Sequence, residues 1–448
     1  MRARWTLVPV ALLALAACTG DPRTHRDATT AAKAWGETLL PVALLALAAC
    51  TGDPRTQRNA TTEAKAWGET LLLQTENGPV SVSAATGSPL LSGVGGVASA
   101  DGTRVYTTER SDRFTLLRTL DAASGDVVDD VRVPGRFEVS IVAPSGTQAA
   151  LIEPLPPGIE PWTPIPRSRT TIVVADPTRA SEPRTYELNG NYEPEAFSTD
   201  GERLFLIQHL PAEAPSVYRV TVMNLARGRV FQVFGPFKVP PERMPGTRLE
   251  QVASPDGRFL FTLYSTERPD YGHLGIAHHG HDSVISFIHV LSLDEGWAHC
   301  FGLPKAFWDR PADMQAMAVS PDGRELYVVD TGLGQMATLD TGSLEVSEPL
   351  GVIEPVASAP ASITAAPDGT VFIGAGDLLT AIDGASGEPV GRWQASGPIS
   401  GLTLSERGER LFAVLDGRID VLDAGTTEEL GATTMPSLGS ILSVAAIG

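Results

Sequence analysis

The 448-residue chain predicts an all-β fold, a β-propeller of four-stranded blades, and three observations carry the prediction. A strand–turn–strand pattern recurs, most regular at Val319-Ser320-Pro321-Asp322-Gly323 followed by Leu326-Tyr327-Val328-Val329. Pro321 sets φ, Asp322 can bond the backbone ahead of it, and Gly323 accepts a positive φ. Further copies centre on Asp101-Gly102, Ser145-Gly146, Asp200-Gly201, Asp256-Gly257, Asp368-Gly369 and the worn Arg407-Gly408. The seven turn glycines lie 44, 55, 56, 66, 46 and 39 residues apart, a period suited to a repeat whose unit is one small sheet. Such a sheet cannot bury both faces alone, whereas sheets stacked radially cover one another. The second observation is another landmark in each unit, an alternating strand running into an Asp- or Asn-centred turn. It occurs eight times, as Leu116–Asp121, Thr221–Asn224, Ala337–Asp340, Leu379–Asp383, Ile419–Asp423, Ile172–Asp176, Val290–Asp294 and Val80–Ser83.

The chain ends supply the third observation and reconcile seven turns of one kind with eight of the other. Ser440-Ile441-Leu442-Ser443-Val444-Ala445-Ala446 reads as one more first strand, after which the sequence stops. Leu71–Leu91 reads as the outer strands that lack one. Pairing of the two ends completes a blade and closes the ring without open edges. This favours eight blades of about 47 residues. Seven is the alternative, with one poorly patterned unit as an insertion.

Taken in order, the chain opens on a basic segment, Met1-Arg2-Ala3-Arg4-Trp5, and an apolar run from Thr6 to Ala17. About a dozen apolar residues are too few to span a bilayer as a helix and fit a secretory signal. The run ends in Leu15-Ala16-Ala17-Cys18, which resembles a bacterial lipobox; that resemblance implies acylation of Cys18 and cleavage before it. Residues 1–17 are then the signal peptide and 18–65 a polar tether. Pro9–Leu40 recurs as Pro41–Leu72 with three differences, His25/Gln57, Asp27/Asn59 and Ala31/Glu63. The copy carries a second lipobox-like site at Cys50, but no basic segment precedes it. Cys18 is therefore the expected lipidation site and Cys50 the alternative.

Composition fits an exported globular protein. The formal charge is −19, and loss of Arg2 and Arg4 with the leader makes the side-chain total −21. So acidic a chain excludes nucleic acid, and bare anionic lipid, as favoured partners. Three cysteines, two of them at the lipobox-like sites, leave no disulfide framework and make Cys300 a buried free thiol. A monomer is expected.

The propeller is expected over 66–448. Within it the turn Val319-Ser320-Pro321-Asp322-Gly323, with Leu326-Tyr327-Val328-Val329-Asp330 and Leu339-Asp340-Thr341-Gly342, resembles the YVTN/YncE-like family of bacterial β-propellers. With the leader and the lipobox-like site at Cys18, the expectation is an exported lipoprotein on the extracytoplasmic side of the cell membrane. Relatives implied by that fold include cell-surface proteins, binding scaffolds, TolB-like periplasmic proteins and some lactonases. The motifs specify fold and not activity. The expected role is binding or scaffolding for a protein, glycan or small ligand, and the alternative is a metal-dependent, lactonase-like hydrolase.

The unit between Gly257 and Gly323 departs from the rest. Six of the eight histidines fall between His273 and His299, and His273, His278, His279, His281 and Asp282 share one glycine-rich loop. Neutral imidazoles at this density can gather a divalent transition metal, zinc or copper; the competing reading is a solvated His loop. Beyond it, Trp297 and Phe301 alternate with Cys300 as a packed strand would, with Trp297 and His299 as candidate ligand contacts. A second long loop, Ile159 to Arg169, carries Trp162 as a candidate contact at the rim. No Gly-x-Ser-x-Gly, His-Glu-x-x-His or phosphate loop is present, so no catalytic residue is assigned. Glu153, Asp330 and Asp377 follow second strands, where carboxylates approach the channel mouth or simply end a strand in solvent.

Overall fold

The computed structural model describes residues 68–92, 95–156, 159, 163–236, 243–266, 285–357 and 359–447. They form eight four-stranded antiparallel sheets arranged as a β-propeller. We number the blades 1 to 8 from the first complete one. The inner strands of blades 1 to 7 are Gly96–Ala98, Glu138–Val142, Asn191–Phe197, Thr247–Ala253, Gln315–Val319, Ala361–Ala365 and Ile399–Leu404. Blade 8 is composite: Ile441–Ile447 is its inner strand, and Thr70–Thr75, Gly78–Ser83 and Pro89–Leu91 follow outward. The eight-blade count and the closure expected from the two chain ends are both present. The register pairs Leu71 with Ala446 and Leu73 with Val444.

The Asp-Gly turns work as the sequence predicts. At the central copy the Ser320 hydroxyl donates to Asp322 Oδ1 (2.7 Å), and that oxygen also accepts from the Arg324 N–H (3.1 Å). Gly323 has φ 72°, where a side chain is strained. These donors hold the exposed Asp322 carboxyl below its ordinary range, the Ser320 hydroxyl first among them. Asp200 repeats the arrangement with Ser198 and the Glu202 N–H. These aspartates are structural, and all lie on one face of the ring, where inner strands pass to second strands.

The core consists of separate apolar layers between neighbouring blades. Blades 3 and 4 share Phe205, Ile207, Tyr218, Val220, Tyr264, Phe287 and Cys300, whereas Trp297 and Phe301 pack on the layer toward blade 5. Cys300 and the two aromatics thus occupy opposite faces of the outer strand. Cys300 is a buried free thiol beside Met244, and burial raises its pKa. Among the described residues no helix is long and apolar enough to cross a membrane.

Candidate functional site: a charged sector on three adjacent blades

Charge is unevenly placed on the eight inner strands. Their charged residues are Glu138 on blade 2, Glu193 and Glu195 on blade 3, and Arg248 and Glu250 on blade 4. The inner strands of blades 5 to 8 and of blade 1 carry Ala, Val, Ile, Ser and similar uncharged residues at those levels. Strands facing a channel in a symmetric ring have no structural need for this asymmetry.

Each charged strand also departs from a regular ladder, as do the uncharged inner strands of blades 7 and 8. Register shifts fall between Val139 and Ile141, between Pro194 and Ala196, and between Arg248 and Glu250. Ser140, Glu195 and Leu249 are the extra residues. A bulge of this kind re-aims neighbouring side chains and raises local twist. Pro194, lacking an N–H, suits the position beside one.

At the junction of blades 3 and 4 the charges interlock. Arg248 Nη2 lies 3.0 Å from Glu195 Oε2 and 3.8 Å from Glu193 Oε1. Gln251 Nε2 donates to Glu195 Oε1 (2.9 Å) and to Thr262 Oγ1 (3.1 Å). The Glu195 side chain is 1 % exposed and that of Arg248 8 %, so the pair lies almost out of water. Burial raises the Glu195 pKa despite the opposing pull of Arg248. Glu193 moves the other way: burial pushes it up, but Arg248 and His209 outweigh that and lower it. For Arg248, burial opposes the charge, but Glu195 in the first place, with Tyr264 and Glu193, holds it. Burial pushes the Glu250 carboxyl up to about 7, although the Met317 N–H donates to it at 2.7 Å.

Toward blade 2 this network opens into a cavity of about 190 Å³. Its walls come from the starts of two inner strands (Glu138, Asn191, Glu193), the ends of two second strands (Ile152, His209) and the segment after Ile152. It therefore lies on the face opposite the Asp-Gly turns. Asn191 Nδ2 donates to the carbonyls of Ile165 (2.6 Å) and Ala212 (3.3 Å), fixing the segment that carries Arg167. Glu193 Oε2 lies 3.1 Å from His209 Nε2. Nothing among the described residues is hydrogen-bonded to His209 Nδ1, although the residue is only 8 % exposed. His209 is one of the residues that line the cavity, so its ring can offer a ligand a polar contact there.

The residues expected from sequence fall in several places. Glu153 lines the cavity. Asp330 does not end its strand in solvent: it is fully buried, accepts from Arg310 Nε and Gln315 Nε2 (3.3 Å each), and also accepts from the Leu333 N–H (2.9 Å). Asp377 is exposed in a turn. Trp297 packs on Phe259 with ring centroids 5.9 Å apart, and its Nε1 donates to Glu295 Oε2 (2.8 Å). His299 sits edge-on to Phe301 at 4.8 Å, and burial lowers its pKa. Both lie on the outer margin of blade 4, remote in the sheet order from the charged inner strand. Trp162, Cys18, Cys50, His273, His278, His279, His281 and Asp282 lie outside the described residues. Among the described residues no group of three or more His, Cys, Asp or Glu side chains is placed to hold a metal ion.

Glu138, Glu193, Glu195, His209, Arg248 and Glu250 were not legible as a site. Their signal is a break in the repeat: Asn191-Tyr-Glu-Pro-Glu-Ala-Phe and Thr247-Arg-Leu-Glu-Gln-Val-Ala precede their turns where other units carry Gln-Ala-Met-Ala-Val or Ala-Ser-Ile-Thr-Ala.

No family model matches the chain. No curated protein matches it in sequence either. Among solved structures it is similar to apo AztD from Citrobacter koseri, at 11% identity and a TM-score of 0.50, over 85% of this chain and 97% of that one. It is also similar to the dihydro-heme d1 dehydrogenase NirN in complex with DHE, at 16% identity and a TM-score of 0.49, over 85% of this chain and 75% of that one. At 11% identity the likeness to AztD concerns the fold alone, and that fold is the β-propeller.

Proposed function

We propose that this chain is an exported, lipid-anchored β-propeller that binds a small polar ligand in the cavity of blades 2 and 3. The observation that carries the reading is the confinement of inner-strand charge to blades 2, 3 and 4, beside a cavity lined by His209 and Glu193. Buried charge is costly, and binding and catalytic sites are one place that retains it, structural pairs such as Arg310–Asp330 being another. The cavity suits a small molecule rather than a glycan chain or a protein surface. A thermal-shift screen of small polar metabolites against the full chain and its His209→Ala variant tests this. A ligand at a hundred times its Kd adds about 2.7 kcal/mol to the stability of the protein it binds. The melting temperature of the wild type should rise and that of the variant should not. A hit that shifts both proteins equally would place the ligand elsewhere.

Anchoring at the membrane rests on the leader. Cys18 follows a basic and then apolar segment, whereas Glu37 precedes the apolar run before Cys50. Cys18→Ala should abolish lipidation and Cys50→Ala should leave it intact. Mass spectrometry that finds the acyl chains on Cys50 overturns the assignment.

A metal, zinc or copper, is proposed on residues 273–282. Their described neighbours Thr266 and Ile285 end a second strand and begin a third, which puts both on the cavity face. Zinc titration by calorimetry should give heat with the wild type and none with His279→Ala/His281→Ala. Binding should weaken below about pH 6, where imidazoles protonate. Absence of heat in the wild type removes the metal, and with it the hydrolase alternative that depends on one.

A further inference from the structure

The charges that line the cavity are not all matched. Glu138 is matched: its Oε2 accepts from Arg110 Nη1 (2.9 Å) and its Oε1 from the Leu155 N–H (3.3 Å). Glu193 is matched by His209 and, more distantly, by Arg248, and the positive charge of Arg167 also acts on it from a longer range. Two lining charges form no salt bridge among the described residues, and they are opposite in sign. The Glu153 carboxylate has no ion-pair partner among the described residues, and neither has the Arg167 guanidinium. They are near one another yet do not pair, because Arg167 Nη2 donates instead to the Glu153 backbone carbonyl (3.3 Å). That bond places the guanidinium at the base of the Glu153 side chain, and among the described residues no other hydrogen bond is made by its remaining donors or by the carboxylate oxygens. An Arg and a Glu so close would be expected to form an ion pair unless each is reserved for something else.

We propose that the cavity takes a small zwitterion of the amino-acid class, with its carboxylate on Arg167 and its ammonium on Glu153. The inference rests on the small-ligand reading above and gives it a chemical class. Arg167 presents a planar fork that fits a carboxylate with two parallel hydrogen bonds. Glu153 supplies acceptors only, which is what an ammonium requires. His209, which also lines the cavity, is a further polar contact for a ligand side group. Neutral sugars leave both charges unsatisfied. Simple cations or anions satisfy one and place a like charge beside the other.

The test uses three molecules of nearly equal size: L-alanine, ethylamine and propionate. Each of the last two retains one charged end of the first. Calorimetric titration of the full chain at pH 7 should show saturable binding of L-alanine, with glycine and β-alanine as size controls. Ethylamine and propionate should each bind about tenfold or more weakly, the scale of one charge-assisted contact. Glu153→Gln and Arg167→Gln should each weaken L-alanine by a similar factor. Arg167→Gln should leave ethylamine unchanged, a selectivity that simple misfolding does not produce. Ethylamine or propionate binding as well as L-alanine overturns the zwitterion, as does an L-alanine affinity unmoved by both substitutions. If no amino acid binds but a neutral metabolite does, in a His209-dependent way, the class is wrong and the small-ligand reading stands. If nothing in the screen depends on His209, both fall.

Discussion

A chain ending at Gly439 should fail to melt as one cooperative unit and should aggregate. The missing segment Ile441–Ile447 is the inner strand of blade 8, antiparallel to Thr70–Thr75 over six paired positions. Without it Thr70–Thr75 becomes an edge, with unpaired N–H and C=O groups available to another chain. The packing loss is larger. Val444 and Ala446 cover a layer that includes Leu71, Leu73, Val82, Phe412 and Val414, all fully buried. Val444 also approaches the neighbouring inner strand so closely that a Cβ at Gly401 would lie 2.5 Å from its Cγ2. Re-exposing two leucines alone forfeits about 3–6 kcal/mol. A whole domain has only about 5–15. The measurements are a circular-dichroism melt and size-exclusion chromatography of the truncated and full chains. A truncated protein with an unchanged transition and a monomeric profile would show that the closing strand is dispensable. Val444→Asp, which keeps the chain length, should lower the midpoint in the same direction and covers the case in which the truncated chain is not recovered.

How much of this was legible follows from the range of each interaction. The Asp-Gly turn is a local device: Ser320, Asp322 and Gly323 satisfy one another within four residues, so seven copies could be seen by their spacing. Closure was legible because Ile441–Ala446 carries a first-strand pattern without the strands that should follow it. The charged sector was not, because Arg248 meets Glu195 across 53 residues and Gln251 meets it across 56. Neither residue has a motif; only the bulged register of two neighbouring strands brings them together. Asp330 makes the same point in reverse. From sequence it ends a strand, yet Arg310 and Gln315, which precede it in the chain, fold over it and exclude water. Glu153 was visible as a strand-end carboxylate beside a proline-rich loop, but that Arg167 bonds its carbonyl and not its carboxylate emerges only from the fold.

Arg248→Met should destabilise the protein by about 3–5 kcal/mol, the cost of leaving buried carboxylates without their cation. Glu195 and Glu193 would remain beside the vacated site, the first almost wholly out of water. Met preserves much of the arginine stem's packing, so the loss reports chiefly on charge. The pH dependence identifies the cause. In the variant, burial acts on Glu195 without the arginine, and its folded-state pKa, already raised, moves further above that of an ordinary glutamate, while Glu193 moves up less because His209 and Arg167 still hold it. The folded state then binds more protons than the unfolded one above about pH 4.5, so stability must fall as pH rises. The deficit relative to wild type should be small near pH 4.5 and largest near pH 8. Adding Glu195→Gln should recover part of it, because an amide in that place needs no counter-charge and can still accept from Gln251. Chemical denaturation of the wild type, both single variants and the double variant at pH 4.5, 6 and 8 gives the coupling directly. Arg248→Met within about 1 kcal/mol of wild type at pH 8, or a double variant no more stable than Arg248→Met alone, would mean that Arg248 does not hold the two carboxylates in place.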